Sequence, residues 1–140
     1  FNLEKEQELS IESLLSSKLK SKDGKVYGIV SAIYLNDIYP EAYHNNEYFF
    51  MYVYLKEKED LHNPKYFDNF ELNLKLNGVS PLKIEQLPYK NQFFKLTFIK
   101  SDWNQYYIVA FKKQNKDMLN LVLKNAQSSS DSLKYQKNKP

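Results

Sequence analysis

The sequence predicts an all-β fold, an antiparallel sandwich of about seven short strands. Three observations carry that reading. Apolar residues recur with a period of two over most of the chain from Lys25 onward. Twelve Tyr and nine Phe stand against one Trp and two Met, a supply of rings that suits a pleated surface. Asn, Asp and Pro punctuate the alternating segments, and only three Gly are present. A small barrel satisfies the same pattern and is the rival architecture. The 140 residues are the size of one domain, and at 42% hydrophobic and 16% aromatic they can bury a core that needs no disulfide or metal.

Three regions are expected: an N-terminal segment over 1–22, the sandwich over 23–126 and a polar C-terminal tail over 127–140. In the first, Leu9, Ile11, Leu14, Leu15 and Leu19 recur near helical spacing and predict a short helix from about Leu9 to Leu19. An irregular linker carrying a first strand is the alternative, because the Ser pairs lower helical propensity. Asp23-Gly24 marks a turn. In 26-VYGIVSAIYL-35 both faces are apolar, as in a strand packed on both sides. Residues 37–46 read as a loop. The segment 48-YFFMYVYLK-56 alternates: Phe49, Met51, Val53 and Leu55 form one row, Tyr48, Phe50, Tyr52 and Tyr54 the other. In 70-FELNLKLNG-78, Phe70, Leu72, Leu74 and Leu76 face inward, and Asn77-Gly78 signals a tight hairpin because both residues accept positive φ. Leu82 and Ile84 continue on the returning strand until Pro88. The segment 93-FFKLTFIK-100 predicts a strand with Phe94, Leu96 and Phe98 inward, and 119-LNLVLKN-125 one with Leu119, Leu121 and Leu123 inward. The tail is expected to be loose, although Leu133 and Tyr135 can dock.

Several function classes find no support. All twenty basic residues are Lys, spread along the chain, for a net charge of +3; without a guanidinium fork or a basic cluster, nucleic-acid binding is not expected. No nucleophile motif and no phosphate-cradling glycine loop occur, so no enzyme and no cofactor are expected. His44 and His62 sit in separate polar segments without ligand spacing, which predicts no zinc site. Glu57, Glu59, Asp60 and Asp68 lack the regular spacing of a calcium loop and read as a solvated tip. No window reaches the apolar length of a membrane helix. A first residue other than Met points to a trimmed or mature form.

The stretch 101-SDWNQYYIVAF-111 carries a recognisable spacing. Asp102, then Tyr106 four residues on, then Ile108, repeats the start of strand F in an immunoglobulin-like sandwich, where the tyrosine caps a corner and its hydroxyl bonds backbone a few residues upstream. Ile108 occupies the place of a bridging cysteine, and the chain has none. With about twenty inward apolar positions, each worth on the order of 2 kcal/mol, the bridge is dispensable. Tyr106 as one more core-edge ring is the plainer alternative. Over roughly residues 23–126 the chain resembles disulfide-free bacterial immunoglobulin-like domains, and it is similar to small immunoglobulin-fold lipoproteins of epsilon-class Gram-negative bacteria. It departs from the antibody pattern in lacking the Cys pair and in placing Trp103 at the corner. The resemblance implies a signal peptide removed, a location in the cell envelope, outer-membrane-anchored or periplasmic, and a lipid anchor as the only membrane tie.

A binding module is the function this implies, engaging a protein or glycan partner, in adhesion among other roles. The expected surface is the aromatic row Tyr48, Phe50, Tyr52 and Tyr54 with Tyr107, since four outward rings exceed what bare solvent usually meets. A structural component that self-associates through the same stripe is the second reading. The third is a small enzyme or ligand carrier. The plain alternative for the stripe is that the N-terminal helix, through Leu14, Leu15 and Leu19, lies across it, or that the rings merely pair across strands. Tyr39, Tyr43, Tyr66 and Phe67 offer a further, end-on surface.

Overall fold

The computed structural model describes residues 3–55, 74–96, 104–124 and 129–137. The chain opens on helix α1 (Leu3–Ser13), then β1 (Leu14–Lys20), β2 (Val26–Tyr34), the one-turn helix α2 (Leu35–Ile38) and β3 (Glu47–Leu55). There follow β4 (Leu74–Leu76), β5 (Lys83–Leu87), a 3₁₀ turn (Phe94–Leu96), β6 (Asn104–Phe111), β7 (Met118–Leu123) and β8 (Leu133–Gln136).

The strands make two antiparallel sheets, one in the order β1-β2-β3-β6-β5 and one in the order β4-β7-β8. Val30, Ala32, Tyr34, Phe49, Met51, Val53, Tyr107, Val109 and Phe111 from the large sheet meet Leu74, Leu76, Leu119, Leu121, Leu133 and Tyr135 from the small one. This is the all-β sandwich with a short N-terminal helix that the alternation predicts. Its chain path departs further from the antibody pattern. There the second and third strands lie in opposite sheets, whereas β2 and β3 are neighbours, with Ala32 opposite Met51. The connection between them is short and tied: the Asn36 amide donates to the Asn46 carbonyl at 2.8 Å, and its oxygen accepts the Tyr48 N–H at 2.9 Å.

The large sheet is covered on its second face as well. Ile33, Leu35, Ile38, Phe50, Tyr52, Phe93, Leu96 and Tyr106 form a second core there, with Leu9 and Leu14 packed against it. The molecule therefore has three layers: α1, α2 and the 3₁₀ turn, the five-stranded sheet, and the three-stranded sheet. Ser10 sits wholly buried in α1, its hydroxyl donating to the Gln7 carbonyl at 2.9 Å.

Four local expectations need correction. The helix expected over Leu9–Leu19 occupies Leu3–Ser13, and Leu14–Lys20 is a strand. The leucines there fit both periods, and the ladder from Leu14 opposite Ile33 to Leu19 opposite Gly28 decides between them, aided by a 2.8 Å hydroxyl bond between Ser16 and Ser31. The strand expected over 93–100 begins as a helical turn. Asn91 accepts the Phe93 N–H through its side chain at 2.8 Å and the Phe94 N–H through its carbonyl at 3.0 Å, so Phe93 and Leu96 share a face at helical spacing. The Asn77-Gly78 turn forms with φ of 49° and 79°, and Leu76 and Val79 exchange hydrogen bonds across it, yet the chain does not return along β4. Pro81 has no N–H to offer the ladder, and Lys83–Leu87 joins β6 in the other sheet. Finally, the tail is not loose over its described part: β8 pairs with β7 and buries Leu133 and Tyr135.

Candidate partner surface

Cross-strand register sorts the helix-side face of the large sheet into rows. Leu14, Ile33, Phe50 and Ile108 stand in one row, and Ser16, Ser31, Tyr52 and Tyr106 in the next. A third row holds Lys18, Ile29, Tyr54 and Asn104. The helical layer covers the middle of the first two: Phe50 and Ile33 are fully buried and Tyr52 is 4% exposed, while Ser16 on β1 is exposed. In the third Asn104 is buried, but Ile29 is 41% and Tyr54 37% exposed and Lys18 reaches solvent. Beside this row the Lys25 ammonium lies over the Tyr27 ring, 5.5 Å from its centre.

The aromatic stripe expected as a partner surface is therefore mostly core. Phe50 packs on Phe93 at 5.0 Å and stacks on Tyr106 at 6.1 Å, its ring plane within 8° of the tyrosine's. Tyr52 lies 5.9 Å from both Phe50 and Tyr106, and burial raises its pKa although Ser31 bonds its hydroxyl. Tyr48 is half-buried, its hydroxyl donating to Asn45 at 2.9 Å. Tyr107 belongs to the opposite face, between the sheets, where burial raises its pKa. Of the expected binding rings, Tyr54 alone is classed as exposed. The cover of the stripe is built by residues that sequence spacing does not link to it: Leu35, Ile38, Phe93 and Leu96.

The loop rings Tyr39 and Tyr43 join that cover rather than a separate end surface. Tyr39 lies 6.3 Å from Tyr43 and 6.4 Å from Phe93, and Tyr43 lies 4.9 Å from Tyr48. Burial and a hydrogen bond to Glu6 of α1 push the Tyr39 hydroxyl above its ordinary range, so this contact ties α1 to the loop. Tyr66 and Phe67 lie outside the described residues.

The corner also needs correction. Tyr106 is buried, but its ring faces the helical layer, and its hydroxyl accepts from the Asn104 amide at 3.3 Å. Ile108 is half-buried on the same face, opposite Phe50. A side chain there points away from the small sheet and cannot stand for a bridge between sheets. Register is the reason: residues opposite one another share a face, and Phe49 and Met51 carry Val109 and Tyr107 toward the small sheet. Phe49 and Leu74 meet in the inter-sheet core, while Leu96 lies in the other. Asp102 lies outside the described residues.

Among the described residues no group of three or more His, Cys, Asp or Glu could hold a metal ion. His44 is exposed, its carbonyl accepting from the Lys113 ammonium at 2.6 Å; His62, Glu57, Glu59, Asp60 and Asp68 lie outside the described residues. No helix among them is long and apolar enough to cross a membrane, which says nothing of a β-barrel. Compared with family models, curated proteins and solved structures, the chain matches none.

Proposed function

We propose that the protein is a non-enzymatic binding module of the bacterial cell envelope, lipid-anchored, which engages a protein or glycan partner through the uncovered end of its large sheet. The observation that supports this is the row Lys18, Ile29 and Tyr54, with exposed apolar side chains beside a lysine on a face whose middle is covered. The row is rigid, because β2 and β3 are hydrogen-bonded on both edges. A ring and an aliphatic side chain fixed in this way lose little entropy on binding. Self-association through the aromatic stripe draws less support, since the chain's own helical layer covers Phe50 and Tyr52.

The test uses the Ile29→Ser/Tyr54→Ser double variant. Its unfolding free energy should stay within about 1 kcal/mol of wild type. Its binding to immobilised envelope fractions and to a glycan array should fall by roughly tenfold or more. Unchanged binding would remove this surface from the proposal. Metabolic labelling with a fatty-acid analogue, in cells expressing the gene from its natural start, tests the anchor. Unlabelled protein in the soluble fraction would refute anchoring and leave the binding reading to stand or fall separately.

A further inference from the structure

We infer that β8 is a separable C-terminal strap, locked onto the sandwich by the ion pair between Lys137 and the buried Glu47. β8 is an edge strand of four residues, and its ladder runs to β7 alone, from Met118 opposite Gln136 to Leu121 opposite Leu133. The segment before it is tied to β1, where Ser129 and Lys20 exchange backbone hydrogen bonds and the Asp131 N–H donates to Ser17 Oγ at 2.9 Å. Two further side chains, Tyr135 and Lys137, hold the strand itself. The Tyr135 hydroxyl donates to the Ala32 carbonyl at 2.5 Å. The Lys137 ammonium donates to Glu47 Oε2 at 2.7 Å and to the Gln114 carbonyl at 2.6 Å, while its backbone N–H donates to the Asp117 carbonyl at 2.7 Å.

Glu47 has no solvent exposure. Its Oε1 accepts from the Tyr34 hydroxyl at 2.6 Å, and Oε2 accepts the Gln114 N–H at 2.8 Å. Those donors are neutral. Among the described residues Lys137 is the cation in salt-bridge contact with Glu47. Without it the carboxylate would be buried with no counter-charge, a strongly unfavourable state. Water can relieve that state only by entry beside Glu47, and lifting β8 admits it. The ladders of β2, β3 and β6 do not involve β8, and the helical layer covers their other face. The ion pair therefore controls a local opening rather than the whole fold.

Native-state hydrogen exchange on the full chain tests this. In Lys137→Met the amides of residues 133–136 should exchange about a hundredfold faster than in wild type, while those of residues 30–34 and 49–53 keep their rates. Adding Glu47→Gln, which removes the stranded charge, should restore much of the protection. Equal acceleration of strap and inner strands, or wild-type exchange of the strap in Lys137→Met, would overturn the inference. Should Lys137→Met fail to fold, wild type in low urea decides: strap amides with a much smaller urea dependence than the inner strands support the strap, and equal dependence sinks it.

Discussion

Glu47 shows how much one residue depends on its partners. Burial pushes its carboxyl pKa up, but bonds from Lys137, Tyr34 and Gln114 outweigh it and hold the group below the ordinary carboxylate value. The titratable groups that act on it are Lys137 beyond β8 and the neutral Tyr34 of β2; the charge of Asp37 of α2 bears on Tyr34 and Tyr135. A depressed folded pKa contributes stability that is whole above the unfolded value of about 4.3 and is lost as pH falls through the folded one. Glu47→Gln should thus cost roughly 3 kcal/mol at neutral pH, because it strands the Lys137 charge. Melting temperatures measured down a pH series should converge for the two proteins in acid; a constant gap would show that Glu47 is not the titrating group. Sequence pattern gave no sign of this pair. Glu47 lies next to a loop and Lys137 in a polar tail, 90 residues apart.

At the scale of elements, β3 shows what alternation can and cannot say. Both of its rows were legible as faces. That the middle of both is buried follows from neighbours remote in sequence. The structure therefore orders the costs of substitution along one strand. Phe50→Ala should lose about 3–5 kcal/mol by urea unfolding, with Phe93 and Tyr106 left around a cavity, whereas Tyr54→Ala should stay below about 1 kcal/mol. Comparable losses at the two positions would contradict the helical cover. The Asn77-Gly78 turn was legible in full, since its chemistry is local. Gly78 has φ of 79° and open space where a Cβ would sit, so Gly78→Ala carries only the backbone penalty, about 1–2 kcal/mol in the same assay. The 3₁₀ turn was not legible, because Phe93, Phe94 and Leu96 satisfy either period and the Asn91 side chain decides.

Across the whole molecule, the five-stranded sheet serves as a shared wall between two cores. Tyrosines furnish much of both, and two of their hydroxyls bond inside: Tyr34 on Glu47, Tyr135 on Ala32. Burial above all raises the pKa of Tyr34, Tyr107 and Tyr135. A raised folded pKa contributes stability that is present below the unfolded value of about 10 and is lost as pH rises beyond it. In an alkaline titration followed by tyrosinate absorbance, exposed rings should ionise first and reversibly. The buried ones should ionise in one cooperative step together with the loss of far-ultraviolet dichroism. A single smooth titration with the fold intact would mean that water reaches both cores. The same layering leaves Ile29 and Tyr54 exposed beside Lys18 at the rim of the sheet, the surface proposed for a partner.

The sequence by itself determined the class of fold, the tight turn at Asn77-Gly78, and which side chains of β2, β3, β6 and β7 share a face. Those follow from the two-residue repeat of a strand and from backbone sterics, both local. Tertiary structure alone decided what each face meets: that Tyr106 and Ile108 look toward helices, that Phe50 and Tyr52 are core, and that the C-terminal segment closes the small sheet through Tyr135 and Lys137. Periodicity assigns a residue to a side. Only the packing of segments distant along the chain determines whether water, a helix or a second sheet lies there.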